Sequence, residues 1–199
     1  MRRVPAILFI ALAACGSPPP LFGGFMPTNG AAVILAPATC NNIAFLGPTA
    51  ISGILLELSS GSDACNVLTQ VKQCGTGAGS TTLLAGAFSG IPGGSTVDAA
   101  GPGTYPWLAN PPSGAFKASI TSAAQVDAVC TSASGSPTQM SGGSIAVSTV
   151  TASNVSGSMD VHFENGQAYT HPFDVAVCQV SIDVCSVFGL CGTHSCVQP

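Results

Sequence analysis

The fold is decided by Val155-Ser156-Gly157-Ser158-Met159-Asp160-Val161-His162-Phe163. Glu164-Asn165-Gly166 follows, and then Gln167-Ala168-Tyr169-Thr170-His171-Pro172-Phe173-Asp174-Val175-Ala176-Val177. In the first run Val155, Met159, Val161 and Phe163, with Gly157, alternate with Ser156, Ser158, Asp160 and His162. Period two is the pattern of a strand with one face in a core and one in water. The second run carries Tyr169, Phe173, Val175 and Val177 on one parity. A two-residue Asn165-Gly166 loop would pair 163 with 168 and put the two apolar sets on opposite faces. A three-residue loop, Glu164-Asn165-Gly166, pairs 163 with 167 and puts them on the same face. A slip of one residue flips every side chain, so the three-residue loop is expected, with Gly166 left-handed in a G1 bulge. Pro172 has no amide hydrogen and suggests an edge or a bulge in the second strand.

Working outward, the same grammar recurs. Ile54–Leu58 reads as a buried strand, and Thr81–Phe88, Gly103–Leu108, Ala115–Thr121 and Ser144–Thr151 are further strands. Gly, Pro, Ser and Asn clusters separate them at spacings that suit a sandwich or barrel. Between the first two lies one expected helix. Ser62 or Asp63 caps it, Ala64, Val67, Leu68 and Val71 share a face, and Gly75 stops it. The 24 Gly and 15 Pro fit many turns. The expected fold is all-β: an antiparallel sandwich-like domain over residues 31–178, with one short helix and a Cys-rich C-terminal appendage over 179–199.

The N-terminus has a different character. Arg2 and Arg3 precede an uncharged apolar run, Val4–Ala14, about half the ~20 residues that a membrane-crossing helix needs. Leu12-Ala13-Ala14-Cys15 resembles the bacterial lipobox, in which cleavage precedes a cysteine that carries lipid. Residues 1–14 are therefore expected to be a signal peptide and Cys15 the acylated N-terminus. Residues 15–30, with Pro18-Pro19-Pro20 and Gly23-Gly24, read as a tether reaching roughly 45 Å if extended. Farther on, Ala31–Ala36 and Ile43–Leu58 are too short or too interrupted, by Pro48 and Gly53, to span a bilayer. The lipid on Cys15 is then the expected membrane attachment. Outside the signal the basic residues are Lys72 and Lys117, against eight acidic side chains in the chain. Phosphate binding runs on Lys and Arg, so nucleic acid is not an expected partner.

Nine cysteines is an odd number for an exported chain. Assigning Cys15 to lipid leaves Cys40, Cys65, Cys74, Cys130, Cys178, Cys185, Cys191 and Cys196, which can pair fully. Zinc on Cys185, Cys191, His194 and Cys196 is the alternative, but its spacing is not a common zinc pattern and the compartment is oxidising. If Ser62–Cys74 is helical, Cys65 and Cys74 lie ~13.5 Å apart along the axis. A disulfide needs Cα atoms within ~7 Å, so each is expected to pair elsewhere. Their order is otherwise open.

Two other constellations can carry chemistry. Asp160, His162 and Glu164 fall on the polar face of one strand, with neighbours ~6.8 Å apart. Convergence of all three on a metal is the hydrolase alternative, and a solvated face is the expectation. Tyr105 and Trp107 lie in a Pro/Gly-rich stretch and share a parity. They could stack on a sugar if exposed, or plug the end of a sheet. His171 is expected as a core or edge histidine bonded to backbone. No G-x-S-x-G nucleophile motif, P-loop or dinucleotide fingerprint occurs.

Several stretches together resemble a group of small lipoproteins abundant in myxobacterial genomes. They are the lipobox, Gly103-Thr104-Tyr105, Ser141-Gly142-Gly143-Ser144-Ile145, Val155-Ser156-Gly157-Ser158-Met159-Asp160 and Phe173-Asp174-Val175-Ala176-Val177-Cys178. Met159 and Val175 stand where that pattern more often has Phe and Ala. The resemblance covers residues 1–178 and implies export and a β-fold, with no activity attached. The expected function is a lipid-anchored cell-envelope protein, at the outer membrane or cell surface, with a structural or adhesive role. It would work without catalysis or cofactor, on a protein or polysaccharide partner. A carbohydrate-binding module using Tyr105 and Trp107 is the alternative.

Overall fold

The computed structural model describes residues 25–43, 46–61, 64, 65, 68, 81–108, 110, 112–125 and 138–188. Cys15 and the signal segment, Cys74, Cys130, Cys191, His194 and Cys196 lie outside them, as do Ser62, Asp63, Val67, Val71 and Gly75 of the expected helix. Among the described residues there are eight strands: β1 (Asn29–Ile43), β2 (Gly47–Ser59), β3 (Thr81–Pro92), β4 (Gly103–Pro106), β5 (Phe116–Gln125), β6 (Thr138–Val150), β7 (Asn154–Phe163) and β8 (Ala168–Val177). A five-residue helix, α1 (Val184–Phe188), follows. The chain is all-β.

The strand order is β4-β6-β5-β3-β2-β1-β8-β7, and β7 pairs back onto β6. Long antiparallel ladders run through β5-β3-β2-β1 and through β4-β6-β7-β8. Among the described residues two short ladders join these halves, beside one isolated bridge between Trp107 and Ser119. At one, β5 meets β6 through Ser122↔Gln139 and Ala123↔Thr138. At the other, β1 meets β8 in parallel through Ala31↔Ala176 and Ala32↔Val177. The expected sandwich-like enclosure is thus built from one continuous mixed sheet pinched at two seams, and the β1–β8 seam departs from the expected antiparallel pairing.

The inner core lies between the halves. Ile54, Leu56, Leu83 and Ala85 come from one half, and Tyr105, Ile145, Met159, Phe163 and Phe173 from the other. Full burial of each large apolar side chain stabilises by about 1.5–3 kcal/mol, which makes this cluster the main thermodynamic tie across the weak seams.

The hairpin has the expected register. Val155, Met159, Val161 and Phe163 are buried, while Ser158, Asp160 and His162 are exposed. His162 pairs with Ala168. Phe163 N–H donates to the Gln167 carbonyl at 2.8 Å, and Gly166 has φ +81°. Pro172 sits where β8 has β7 on one side, whereas β1 reaches only Ala176 and Val177 on the other.

The longest strand, β1, breaks the alternation rule that exposes the hairpin. Its neighbour β2 is buried at every position from Thr49 to Ser59. A second apolar cluster covers the outer face, with Val33 and Leu35 of β1, Ile51 and Leu55 of β2, and Ile182 and Val184 of the C-terminal segment. A strand buried on both faces reads as a continuous apolar run without period two. Pro37 falls in the register shift between Leu35 and Ala38, the bulge position that a proline tolerates. Upstream, Phe25 is buried against Tyr169, with ring centroids 5.5 Å apart. The fold therefore reaches into the stretch that composition reads as tether.

Ala64, Cys65 and Leu68 are helical, and Ala64 and Leu68 are buried on this same outer layer. Two disulfides pin that layer. Cys40 of β1 bonds Cys185 of α1, and Cys65 bonds Cys178, with Cα atoms 5.3 and 5.6 Å apart. Cys65 thus pairs with a cysteine other than Cys74, as expected from the sequence.

Candidate functional site

Four of the quoted motifs lie within the described residues, and each has a structural task. In Gly103-Thr104-Tyr105 the tyrosine is fully buried. Its hydroxyl donates to the Gly101 carbonyl at 2.6 Å and accepts from the Gly101 N–H at 3.1 Å. This bond, back to the backbone four residues upstream, belongs to the tyrosine-corner type. Lys117 lies across the ring, its Nζ 5.1 Å from the centroid, and donates to the Pro102 carbonyl at 3.3 Å. Nothing in the spacing of Tyr105 and Lys117 points to this cap, because β4 and β5 belong to different halves.

The two glycine motifs let β6 and β7 approach. Gly143 has φ +91°, and a side chain there would meet the Asp160 carbonyl oxygen at 2.0 Å. A Cβ on Gly157 would lie 2.1 Å from the Ala146 carbonyl oxygen and 2.8 Å from the Phe173 ring. Phe173, Gly157's register partner on β8, fills the space the glycine leaves. Cys178, which closes the last motif, is the disulfide partner of Cys65.

Tyr105 and Trp107, read together as a stacking pair, have different fates. Tyr105 is 0 % exposed, so it is not available to a ligand, and this corrects the paired-aromatic reading. Trp107 is 38 % exposed. Its backbone N–H donates to the Gly143 carbonyl, and the same backbone bridges Ser119 in parallel. It thus stands where β4, β5 and β6 meet.

On the outer face of β7, His162 Nε2 lies 3.8 Å from Asp160 Oδ1, with side chains 58 % and 61 % exposed. Thr170 donates to the same carboxylate oxygen at 2.9 Å. Glu164 belongs to the turn, where its N–H donates to the Gln139 carbonyl. Among the described residues no three His, Cys, Asp or Glu side chains group to hold a metal. Asp160 and His162 are solvated neighbours, and the hydrogen bond to the carboxylate comes from Thr170. His171 is half-buried and stacks on Tyr169, with centroids 5.5 Å apart. Burial pushes the Tyr169 phenol up to about 12.

Cys185, a candidate zinc ligand in the sequence, is held in a disulfide. One buried carboxyl group escapes the sequence reading: Glu57 on β2 is 0 % exposed. Its signal was present, as the sole charged residue inside the apolar run Ile54–Leu58. No family model, curated protein or solved structure matches the chain.

Proposed function

We propose that this chain is an exported, lipid-anchored protein of the bacterial cell envelope whose stapled β-domain has a structural or adhesive role. One observation carries the reading: Cys40–Cys185 and Cys65–Cys178 are bonded across sequence separations of 145 and 113 residues. Long-range disulfides of this kind persist in oxidising compartments. The remaining cysteines still number an odd five, which suits lipid on Cys15 and pairing of the rest. The lipobox and the resemblance to myxobacterial lipoproteins agree. In this reading the β-domain is non-catalytic and needs no cofactor.

The test is expression of the full chain with a clickable palmitate analogue. Label should enter the wild-type protein, and Cys15→Ser should carry none and leave the protein unprocessed or soluble. Covalent lipid on the Cys15→Ser variant would overturn the assignment.

The 38 % exposure of Trp107 favours a second reading, a carbohydrate-binding face. Trp107 is the only tryptophan, so its fluorescence reports on that face alone. A saturable emission change with envelope polysaccharide, together with loss of binding in Trp107→Ala by a label-free assay, would support it. A flat titration would remove it.

A further inference from the structure

We propose that residues 178–188 form a redox-latched strap, whose release by a dithiol reductant bares the apolar outer face of β1 and β2 while the inner core stays folded. Both described disulfides end in this short segment, one at Cys178 and one at Cys185. Between them Ile182 and Val184 are buried in the outer cluster. The strap adds nothing to the inner cluster, which is built from the two halves, Phe25 and Ala100. The inner core can therefore survive its departure.

The strap depends on its latches. A five-residue helix is far too short to persist alone. Two buried aliphatic side chains, Ile182 and Val184, are a small gain against the backbone order of the whole segment. The latches are also reachable. In each bond one cysteine is buried, Cys40 or Cys178, and the other, Cys185 or Cys65, is only half-buried. A thiolate of the dithiol attacks Cys185 Sγ and expels the Cys40 thiolate. The second thiol then displaces Cys185, so the pair gains two electrons and two protons and the reductant closes to a disulfide. The same exchange starts at Cys65 for the other bond. Release uncovers Val33, Leu35, Ile51 and Leu55, now in the outer cluster.

Hydrogen exchange of the full chain, with and without dithiothreitol, tests the strap. Residues 179–188 should lose their protection on reduction, while β7 and β8 keep theirs. A dye that binds apolar surface should brighten in parallel. Reduction also reaches the other cysteines, so the variant Cys40→Ala/Cys65→Ala/Cys178→Ala/Cys185→Ala should show the same local loss under oxidising conditions. If it does not accumulate, Cys40→Ala/Cys185→Ala alone should free residues 182–188. A strap that stays protected, or a strap and inner core that lose protection together, would overturn the proposal.

Discussion

Two glycines separate two kinds of constraint at the scale of single residues. Gly166 has φ +81° and open space around it, so its need is conformational. Gly166→Val should cost more than ~1 kcal/mol, because a β-branched residue fits the left-handed region poorly. Gly157 lies instead against backbone, with the Ala146 oxygen 2.1 Å from any added Cβ. Gly157→Ala must push β6 and β7 apart and should cost about 1–3 kcal/mol, as overpacking does. Urea midpoints of the two variants check both values. On the same hairpin Asp160→Asn and His162→Ala should each move stability by less than about 0.5 kcal/mol, as exposed positions do. A larger loss for either would mean that the pair does more than face water.

At the scale of elements, the weakest edge is the part of β8 that β1 does not reach. β1 meets β8 only at Ala176 and Val177. An edge strand is a template for pairing with another chain, and a proline or a charge blunts it. Pro172 and Asp174 stand on that stretch, both exposed. Pro172→Thr should therefore raise self-association, seen as a concentration-dependent rise in sedimentation coefficient, without unfolding the hairpin. The outer layer has the opposite need, because it is held by covalent bonds. Cys40→Ala/Cys185→Ala should cost about 2–5 kcal/mol, the usual loss when a native disulfide leaves a small exported domain. Thermal melts of the oxidised variant and wild type measure the difference.

For the whole molecule, the alkaline limit of stability carries the mark of Tyr169. Its phenol titrates at about 12 in the fold against an ordinary 10.0, because burial disfavours the phenolate. Folding thus holds the proton more tightly than the open chain does. Its contribution to stability is fully present below pH 10.0 and is lost as pH rises toward about 12. Tyr169→Phe should flatten stability against pH in that window and leave it unchanged near neutrality apart from a constant offset. Denaturant titrations across alkaline pH show whether the slope disappears. The whole chain has one further prediction. If Cys15 carries lipid as proposed, mature oxidised protein should show no free thiol, and alkylation of denatured, unreduced protein by two or more equivalents would refute it.

How much was legible follows from the range of each interaction. Side-chain parity is local, so the faces of β7 and β8, the Glu164–Gly166 turn and the buried side of Ala64 and Leu68 could be read along the chain. Helix rise is local too, and the expectation it gave, that Cys65 would pair with a cysteine other than Cys74, holds. β1 stayed hidden because a strand covered on both faces loses its period, and its outer cover lies far away in sequence at Ile182 and Val184. The disulfide partners, 145 and 113 residues apart, depend on which strands become neighbours. So does the divergence of Tyr105 and Trp107, which share a parity but meet different surroundings at the junction of β4, β5 and β6. By itself the sequence determined an all-β chain and the inward face of its hairpin. Only the tertiary structure decided the two seams, the outer layer and the choice of buried aromatic. Those outcomes require surfaces distant in sequence to meet, and no local periodicity encodes that meeting.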